Sequence, residues 1–118
     1  MRALIIDDEA HCIARIQNLA AEYAAESVTV LGTFSDIDSG EAAIRKLKPD
    51  FIFLDIQIHD RTGFDLLMRF EKIDFEVIFA TAYEQYAIQA FRFSAVDYLL
   101  KPVDPDDFKD TIARVKLR

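Results

Sequence analysis

The amino-acid sequence predicts an α/β fold, a doubly wound five-stranded parallel sheet with helices on both faces. Strand-like and helix-like segments alternate from one end of the chain to the other, which is typical of such a sheet. Several strand candidates are short and continuously apolar, as strands covered on both faces are, whereas a half-exposed antiparallel strand would alternate. With 118 residues, 52% of them hydrophobic, the chain suits one domain with a single core.

Five segments are predicted to be strands, and helix-like segments separate them. Most of them are rich in β-branched or aromatic residues, which favour strands. With right-handed crossovers throughout, the economical topology is the strand order 2-1-3-4-5. The predicted strands cover residues 3–6, 28–34, 51–54, 77–80 and 98–100.

Apolar residues at helical spacing predict the first and last helices, with these residues facing the core. The first stripe comprises Ile13, Ile16, Ala20 and Tyr23, and the last comprises Phe108, Ile112 and Val115. Helix starts are marked by capping residues, since Thr62 stands three residues before Asp65 and Asp104 precedes Pro105. Pro49 closes the second helix, because a proline disfavours helical geometry in the residue before it.

The composition restricts the ligands and the location that can be expected. The 21 acidic and 14 basic side chains give a formal charge of −7, which favours a cation over bare nucleic acid or an anionic membrane. No apolar run approaches the ~18 residues of a membrane span, so a cytoplasmic protein is expected. Cys12, the only cysteine, excludes an intrachain disulfide and is expected to be a small buried residue. These three residues, Cys12, His11 and His59, do not form a zinc cage at any usual ligand spacing.

Polar residues stand where four of the predicted strands end. The first strand is followed by Asp7 and Asp8, the third by Asp55, the fourth by Thr81 and the fifth by Lys101. In a doubly wound sheet the ligand site lies beyond the carboxyl ends of the strands, near the point where strand order reverses. Neighbouring strands are ~4.8 Å apart, so a lysine stem can span the distance to Asp55. These five side chains are therefore expected to converge.

The side chains of the predicted cluster indicate which ion it can bind and which reaction it can support. Three carboxylates this close together would repel one another unless a cation neutralised them. Oxygen ligands favour a hard ion, which predicts Mg²⁺ bound by Asp8 and Asp55. A carboxylate beside a divalent ion and the Lys101 ammonium can attack a phosphoryl group, and Thr81 can hold a product oxygen. An aspartate after one strand is usually a helix cap, so this prediction depends on the coincidence of four strand ends.

Four segments carry a resemblance to a known family: LIIDDE at 4–9, FIFLDIQ at 51–57, FATAY at 79–83 and DYLLKP at 97–102. Over nearly its whole length the chain resembles the receiver domains of two-component response regulators. This resemblance implies a flavodoxin-like receiver fold for residues 1–118. It also implies that Asp7, Asp8 and Asp55 hold Mg²⁺ together with the backbone carbonyl of Gln57.

The resemblance also implies the remaining site roles. Asp55 would accept a phosphoryl group from a sensor histidine kinase, with Thr81 and Lys101 contacting the phosphoryl oxygens. The peptide before Pro102 would be cis. Tyr98 would be a switch residue that turns inward as Thr81 moves toward the phosphate, and a half-buried strand tyrosine without that role is the open alternative. Such a domain is not a conventional enzyme, although it assists its own phosphorylation and dephosphorylation.

The words TAY and DYLLKPV further resemble the LytTR class, whose receivers usually precede a DNA-binding domain. The chain is accordingly expected to be the N-terminal part of a longer regulator that contacts DNA only through a C-terminal effector domain. A homodimer is expected through the fourth helix, fifth strand and fifth helix, from about 83 to 116, with apolar contacts from Tyr86, Phe91 and Phe93. The alternative for these aromatic residues is packing in the core.

After Asp55 the sequence departs from the family pattern, since many relatives have proline and glycine where this chain has His59, Asp60, Arg61 and Thr62. The roles of His59 and Asp60 stay open: the histidine could tune metal access, although an exposed loop histidine without a role is simpler. Other functions are also open, namely a pseudo-receiver, a metal-dependent phosphatase and a flavin-binding domain. The phosphatase would lack an acid or base at Gln57, and the flavin protein would lack a hydroxyl-rich phosphate loop.

Overall fold

A parallel sheet of five strands forms the centre of the computed structural model, which describes all residues from Met1 to Arg118. The strands are β1 (Arg2–Ile6), β2 (Thr29–Phe34), β3 (Phe51–Leu54), β4 (Glu76–Thr81) and β5 (Asp97–Leu100). They lie in the order β2-β1-β3-β4-β5, and every pair of neighbours is parallel. The structure thus confirms the predicted order 2-1-3-4-5, which reverses between β1 and β3.

Five α-helices alternate with the strands, as the pattern predicts, and the last of them follows β5. They are α1 (Ala10–Tyr23), α2 (Ile37–Leu47), α3 (Gly63–Met68), α4 (Ala87–Arg92) and α5 (Pro105–Lys116). A single 3₁₀ turn at Glu84–Tyr86 leads into α4. Between β3 and α3 the chain also forms a small antiparallel hairpin, in which Gln57–Ile58 pairs with Arg61–Thr62. This hairpin lies in the segment where the sequence departs from the family pattern.

The predicted capping residues begin and end their helices. The Thr62 hydroxyl accepts a hydrogen bond from the Asp65 amide while the Asp65 carboxylate accepts one from the Thr62 amide, which is a complete capping box. Asp104 accepts hydrogen bonds from the first amides of α5, and Pro105 is the first residue of that helix. Helix α2 ends at Leu47, and its C-cap residue Lys48, with a left-handed φ of 48°, directly precedes Pro49.

The core consists of two apolar layers, one on each face of the sheet. Side chains alternate between the faces along a strand, so Phe51 and Phe53 of β3 enter one layer while Ile52 and Leu54 enter the other. Helices α1 and α5 cover the first layer, and α2, α3 and α4 cover the second. All four residues of β3 are buried, which explains why the sequence of this strand is apolar without alternation.

Some predicted core positions are wrong. Tyr23 is the last residue of α1 and is 41% exposed, with the Lys109 ammonium 4.9 Å from its ring centroid. Cys12 is only half-buried. The sequence left open whether Tyr86, Phe91 and Phe93 pack in the core or form the dimer surface. Tyr86 and Phe93 pack against the core, whereas Phe91 of α4 is 77% exposed.

None of the helices is both long enough and apolar enough to span a membrane.

Candidate functional site

The register of the sheet sets where the polar strand-end residues lie. Strands β1 and β3 end level with each other, so Asp7 and Asp55, which follow them, leave the sheet side by side. Strands β4 and β5 also end level, which places Thr81, the last residue of β4, beside the residue that precedes Lys101. The ends of four strands thus supply one site at the carboxyl edge of the sheet, next to the point where strand order reverses.

Four carboxylates form an acidic pocket at this edge. One oxygen of each of Asp7, Asp8, Glu9 and Asp55 lies within 4.8 Å of the others, a spacing that a single metal ion can bridge. Asp7 and Asp55 are buried, at 1% and 3% exposure. The sequence places the three aspartates here, whereas Glu9 was not among the predicted site residues. Its place as the third acidic residue in succession after β1 was the available signal.

The Lys101 ammonium connects the carboxylates. Its Nζ lies 2.8 Å from Asp7 Oδ2, 2.8 Å from Asp55 Oδ2 and 3.2 Å from Glu9 Oε1. Burial disfavours the charge of this lysine, but the carboxylates of Asp55 and Asp7 more than offset that effect and raise its pKa. Lys101 therefore stays protonated across the physiological pH range. The peptide bond between Lys101 and Pro102 is cis, the isomer that the resemblance implies.

Burial disfavours the charged form of the Asp7 carboxylate. Burial raises its pKa, although the Lys101 ammonium and the Glu9 amide both act in the opposite direction. Its Oδ1 accepts a hydrogen bond of 2.9 Å from the Glu9 amide. Its Oδ2 contacts the Lys101 ammonium at 2.8 Å. The buried carboxylate is therefore compensated by one amide and one shared ammonium, and a cation would compensate it further.

Asp55 is held in one orientation by both of its oxygens. Oδ1 accepts a hydrogen bond of 2.7 Å from the amide of Ile56, and Oδ2 accepts one of 2.8 Å from Lys101 Nζ. Because both oxygens are held before any reaction, the carboxylate has little rotational freedom left to lose when it attacks. The geometry therefore provides a positioned nucleophile beside a fixed ammonium.

Thr81 and Tyr98 meet at one residue of the loop after β4. Thr81 is fully buried, and its Oγ1 accepts a hydrogen bond of 3.4 Å from the Tyr83 amide. The hydroxyl of Tyr98 donates to the carbonyl of the same Tyr83. Because Thr81 acts as an acceptor here, its own hydroxyl hydrogen remains available for another oxygen. Tyr98 itself is half-buried, as a strand residue would be under either interpretation of its role.

The hairpin after β3 closes over one side of the pocket. The His59 amide donates a hydrogen bond of 2.8 Å to Asp8 Oδ2, and the His59 Nδ1 lies 3.7 Å from the same oxygen. Gln57 stands two residues after Asp55, and its side-chain amide donates to the His59 carbonyl. Asp60 is exposed at the turn. The loop therefore contacts a predicted metal ligand through its main chain, which sequence reasoning did not find, while the role of the Gln57 carbonyl stays a prediction.

An acidic pocket with a lysine-bound carboxylate, at the carboxyl edge of a doubly wound sheet, can hold a metal ion beside a nucleophile. Comparison with protein families matches residues 3–113 to the response regulator receiver domain. The chain belongs to this family and is a receiver domain of a two-component response regulator.

Three relatives show where the chain stands within the family. A response regulatory protein of Vibrio vulnificus (strain CMCP6), described as uncharacterized, is 42% identical over 116 residues, which cover 98% of this chain and 47% of that protein. The sensory transduction protein LytT of Bacillus anthracis is 35% identical over 118 residues, with 98% and 47% covered. The transcriptional regulatory protein BtsR of Escherichia coli (strain K12) is 37% identical over 121 residues, with 98% and 48% covered.

The similarity to LytT confirms the predicted resemblance to the LytTR class. The chain spans about half the length of the three relatives. Among solved structures, the response regulatory domain of mrkE from Klebsiella pneumoniae superposes with a TM-score of 0.89 at 25% identity, covering 99% of this chain and 96% of that one. This superposition confirms the flavodoxin-like receiver fold.

Proposed function

We propose that this receiver domain accepts a phosphoryl group on Asp55 from a phosphohistidine of a sensor histidine kinase, with Mg²⁺ bound beside it. The observation that carries the proposal is the position of Asp55, whose Oδ2 lies 2.8 Å from the Lys101 ammonium within a cluster of four carboxylates. A carboxylate nucleophile, a fixed ammonium and a set of hard-cation ligands are the groups that phosphoryl transfer uses.

In the proposed step, a carboxylate oxygen of Asp55 bonds to phosphorus while the bond from phosphorus to the kinase histidine nitrogen breaks. The leaving nitrogen keeps the electron pair of that bond. The Lys101 ammonium, which now contacts Asp7 and Asp55, would donate to the phosphoryl oxygens, and the free hydroxyl hydrogen of Thr81 would donate to another. The domain thus assists its own modification without being a conventional enzyme.

The ligands proposed for Mg²⁺ are the carboxylates of Asp7, Asp8 and Asp55 and the backbone carbonyl of Gln57. The residues present fit this ion, since one oxygen from each of four carboxylates lies within 4.8 Å of the others, while a single ammonium, that of Lys101, contacts three of them. When bound, the ion supplies positive charge to the oxygens of the transferring group. It would also relieve the cost of burying the Asp7 carboxylate.

The proposed output is a change in the surface formed by α4, β5 and α5. Movement of Thr81 toward the phosphoryl group would shift Tyr83 and, through its carbonyl, Tyr98 of β5. This surface carries exposed apolar side chains, with Ile88 73% and Phe91 77% exposed on α4. Exposed apolar groups of this size are typical of a docking surface, and we propose that a second copy of the receiver binds there to form a homodimer.

The proposed action of the whole regulator is on transcription, through a DNA-binding effector domain that follows the receiver. The name of BtsR as a transcriptional regulatory protein and the similarity to LytT support this proposal. The net charge of −7 also favours DNA contacts outside this segment. In a gel-shift assay, we expect the full-length regulator to bind its promoter more tightly when phosphorylated, and the receiver alone to show no shift. A shift by the receiver alone would contradict the assignment.

The central proposal is tested by intact-mass measurement after incubation with acetyl phosphate and Mg²⁺. We expect a mass increase of one phosphate that is absent in Asp55→Asn and in the wild-type protein treated with EDTA. The alternative is a pseudo-receiver that acts as a phosphorylation-independent interaction module. The contacts of Lys101 with Asp7 and Asp55 argue against it, because such a module needs none of them. An unlabelled wild-type protein would favour that alternative.

A further inference from the structure

A second group of metal-ligating side chains lies at the start of α1. A carboxylate oxygen of Glu9, an imidazole nitrogen of His11 and the thiol sulfur of Cys12 lie within 4.8 Å of one another. The Nε2 of His11 is 3.7 Å from Glu9 Oε2. Two ligands of a tetrahedral zinc ion stand about 3.3–3.8 Å apart, given bond lengths of ~2.0–2.3 Å. A single ion can therefore contact all three donors after small side-chain movements.

We propose that Glu9, His11 and Cys12 form a site for a transition-metal ion of the Zn²⁺ class, separate from the Mg²⁺ ligands. The donor set contains sulfur and nitrogen as well as one carboxylate oxygen. Thiolate and imidazole select zinc-like ions, whereas Mg²⁺ is held by oxygen ligands. The two sites are therefore expected to bind different metal ions. Three protein ligands leave a fourth position open to water or to an external ligand.

The three side chains are available for this role. Glu9 precedes α1 but makes no side-chain hydrogen bond to the amides at the helix start, so its carboxylate is not occupied as a cap. The imidazole of His11 is 80% exposed, and its charged neighbour is Glu9. Cys12 is half-buried and lines a cleft of about 410 Å³ together with the other two residues. An ion can reach the donors from solvent through this cleft.

The electrostatic surroundings favour a cation in spite of the neighbouring lysine. The Lys101 ammonium lies 3.2 Å from Glu9 Oε1, but two buried carboxylates contact the same ammonium at 2.8 Å. Asp8 adds a further carboxylate to the pocket, with an oxygen within 4.8 Å of those of Asp7, Glu9 and Asp55. When the ion binds, the Cys12 thiol loses its proton to solvent and coordinates as thiolate. Because the thiol must lose its proton before it coordinates, binding should strengthen as the pH rises.

Titration of the complete chain with Co²⁺ in excess Mg²⁺ tests the proposal, because cobalt reports its ligands by absorption. We expect one ion per chain, a near-ultraviolet charge-transfer band from thiolate to cobalt, visible bands typical of tetrahedral coordination, and displacement by Zn²⁺. His11→Ala and Cys12→Ser should each weaken binding at least tenfold and the latter should abolish the charge-transfer band. Asp8→Asn, which alters the proposed Mg²⁺ site only, should retain the full spectrum.

The readout does not depend on phosphoryl transfer, so this proposal and the proposed function can fail separately. Removing the exposed imidazole of His11 leaves the core intact, and far-ultraviolet circular dichroism would verify the fold of each variant. A Co²⁺ spectrum without a sulfur band would overturn the proposal. So would a spectrum that persists in Cys12→Ser but disappears in Asp8→Asn, because the ion would then occupy the acidic pocket.

Discussion

The hydroxyl of Tyr98 and the hydroxyl oxygen of Thr81 are joined through a single residue, Tyr83. Tyr98 donates to the Tyr83 carbonyl, and the Tyr83 amide donates to Thr81. The two predicted switch residues are therefore coupled by the main chain of one loop residue rather than by direct contact. If Thr81 turns toward a phosphoryl group, it releases the Tyr83 amide. Movement of Tyr83 then disturbs the hydrogen bond between its carbonyl and the Tyr98 hydroxyl. This arrangement favours the switch role over that of an ordinary strand tyrosine.

Tyr98→Phe should loosen the loop after β4 without preventing phosphorylation of Asp55. The substitution removes one hydrogen bond, with a net contribution of about 1 kcal/mol, and leaves the ring in its packing against Phe79. Hydrogen exchange measured by mass spectrometry should be faster in residues 82–86. Tyr83→Phe is the matched control, because it removes a hydroxyl but keeps the carbonyl that Tyr98 contacts. Equal exchange in both variants would contradict the coupling.

Asp7→Asn should stabilise the metal-free protein more at neutral pH than at acidic pH, because asparagine carries no charge to bury. Burial raises the pKa of this carboxyl above its ordinary value of 3.8, so the ionised form is less favourable in the folded state than in the unfolded state. That cost is absent below the unfolded pKa, grows as the pH rises toward the folded pKa and stays constant above it. The advantage of asparagine over aspartate should therefore be smaller near pH 4 than at pH 7.

Urea denaturation in EDTA across this pH range measures the difference. Asp110→Asn, which removes an exposed carboxylate of α5, is the control for the loss of one negative charge. Added Mg²⁺ should reduce or reverse the advantage of Asp7→Asn, since the ion neutralises the wild-type carboxylate and stabilises the folded state that binds it. An advantage that is equal at pH 4 and pH 7 would show that burial of charge is not its cause.

The site could be predicted from the sequence where it depends on strand ends, and could not where it depends on side-chain direction. Asp7, Asp55 and Lys101 follow apolar strands, and parallel strands carry such residues to one edge whatever the rotamers. Glu9 belongs to the acidic pocket only because its side chain turns toward Lys101 instead of capping α1. Helical spacing likewise assigned Tyr23 to the core, but this residue is 41% exposed at the end of α1. A periodic stripe identifies the apolar face of a helix, but it does not show how far along the helix that face stays in contact with the sheet.

Gly63→Ala should destabilise the domain and slow the phosphorylation of Asp55. A Cβ at this position would lie 2.3 Å from the carbonyl oxygen of Asp55 and 2.9 Å from the side chain of Leu54. Because the nearest atom belongs to the main chain that carries the acceptor, the strain cannot be relieved by a side-chain rotation. Overpacking of a buried position costs about 1–3 kcal/mol. Urea unfolding and the rate of mass increase with acetyl phosphate would measure both effects.

Gly32→Ala is the comparison for this substitution. Its Cβ would meet only the tip of the Phe34 ring, at 3.0 Å, and that ring can move. We therefore expect a smaller loss of stability and an unchanged phosphorylation rate. The interpretation would be wrong if the two alanine variants were phosphorylated at the same rate.

His59→Gly should stabilise the hairpin after β3 by roughly 1 kcal/mol, because His59 has a left-handed backbone with φ of 56°. His59→Ala keeps the strain and should stay close to the wild type. The hydrogen bond to Asp8 comes from the main chain, so both variants should retain it and bind Mg²⁺ with unchanged affinity. Thermal unfolding and isothermal titration measure the two quantities. Tighter Mg²⁺ binding in both variants would instead assign the imidazole a role in limiting metal access.

Phe91→Glu should abolish the proposed homodimer of the phosphorylated receiver while leaving phosphorylation of Asp55 intact. Phe91 is 77% exposed and lies on α4 near the exposed Ile88, so the substitution places a charge at the centre of the proposed apolar contact without altering the core. Loss of a central aromatic contact in an interface commonly costs about 2 kcal/mol or more, and burying an unpaired carboxylate adds to that cost. Sedimentation velocity after treatment with acetyl phosphate would show the mass in solution.

The control for the dimer is Met68→Glu, since this methionine is also apolar and 64% exposed but lies at the end of α3. If the α4-β5-α5 surface forms the interface, the Met68 variant should dimerise like the wild type while the Phe91 variant stays monomeric. A dimer that survives Phe91→Glu and dissociates in Met68→Glu would place the interface at α3. If phosphorylated wild type were monomeric at all concentrations tested, the exposed side chains of α4 would have to contact another part of the regulator instead.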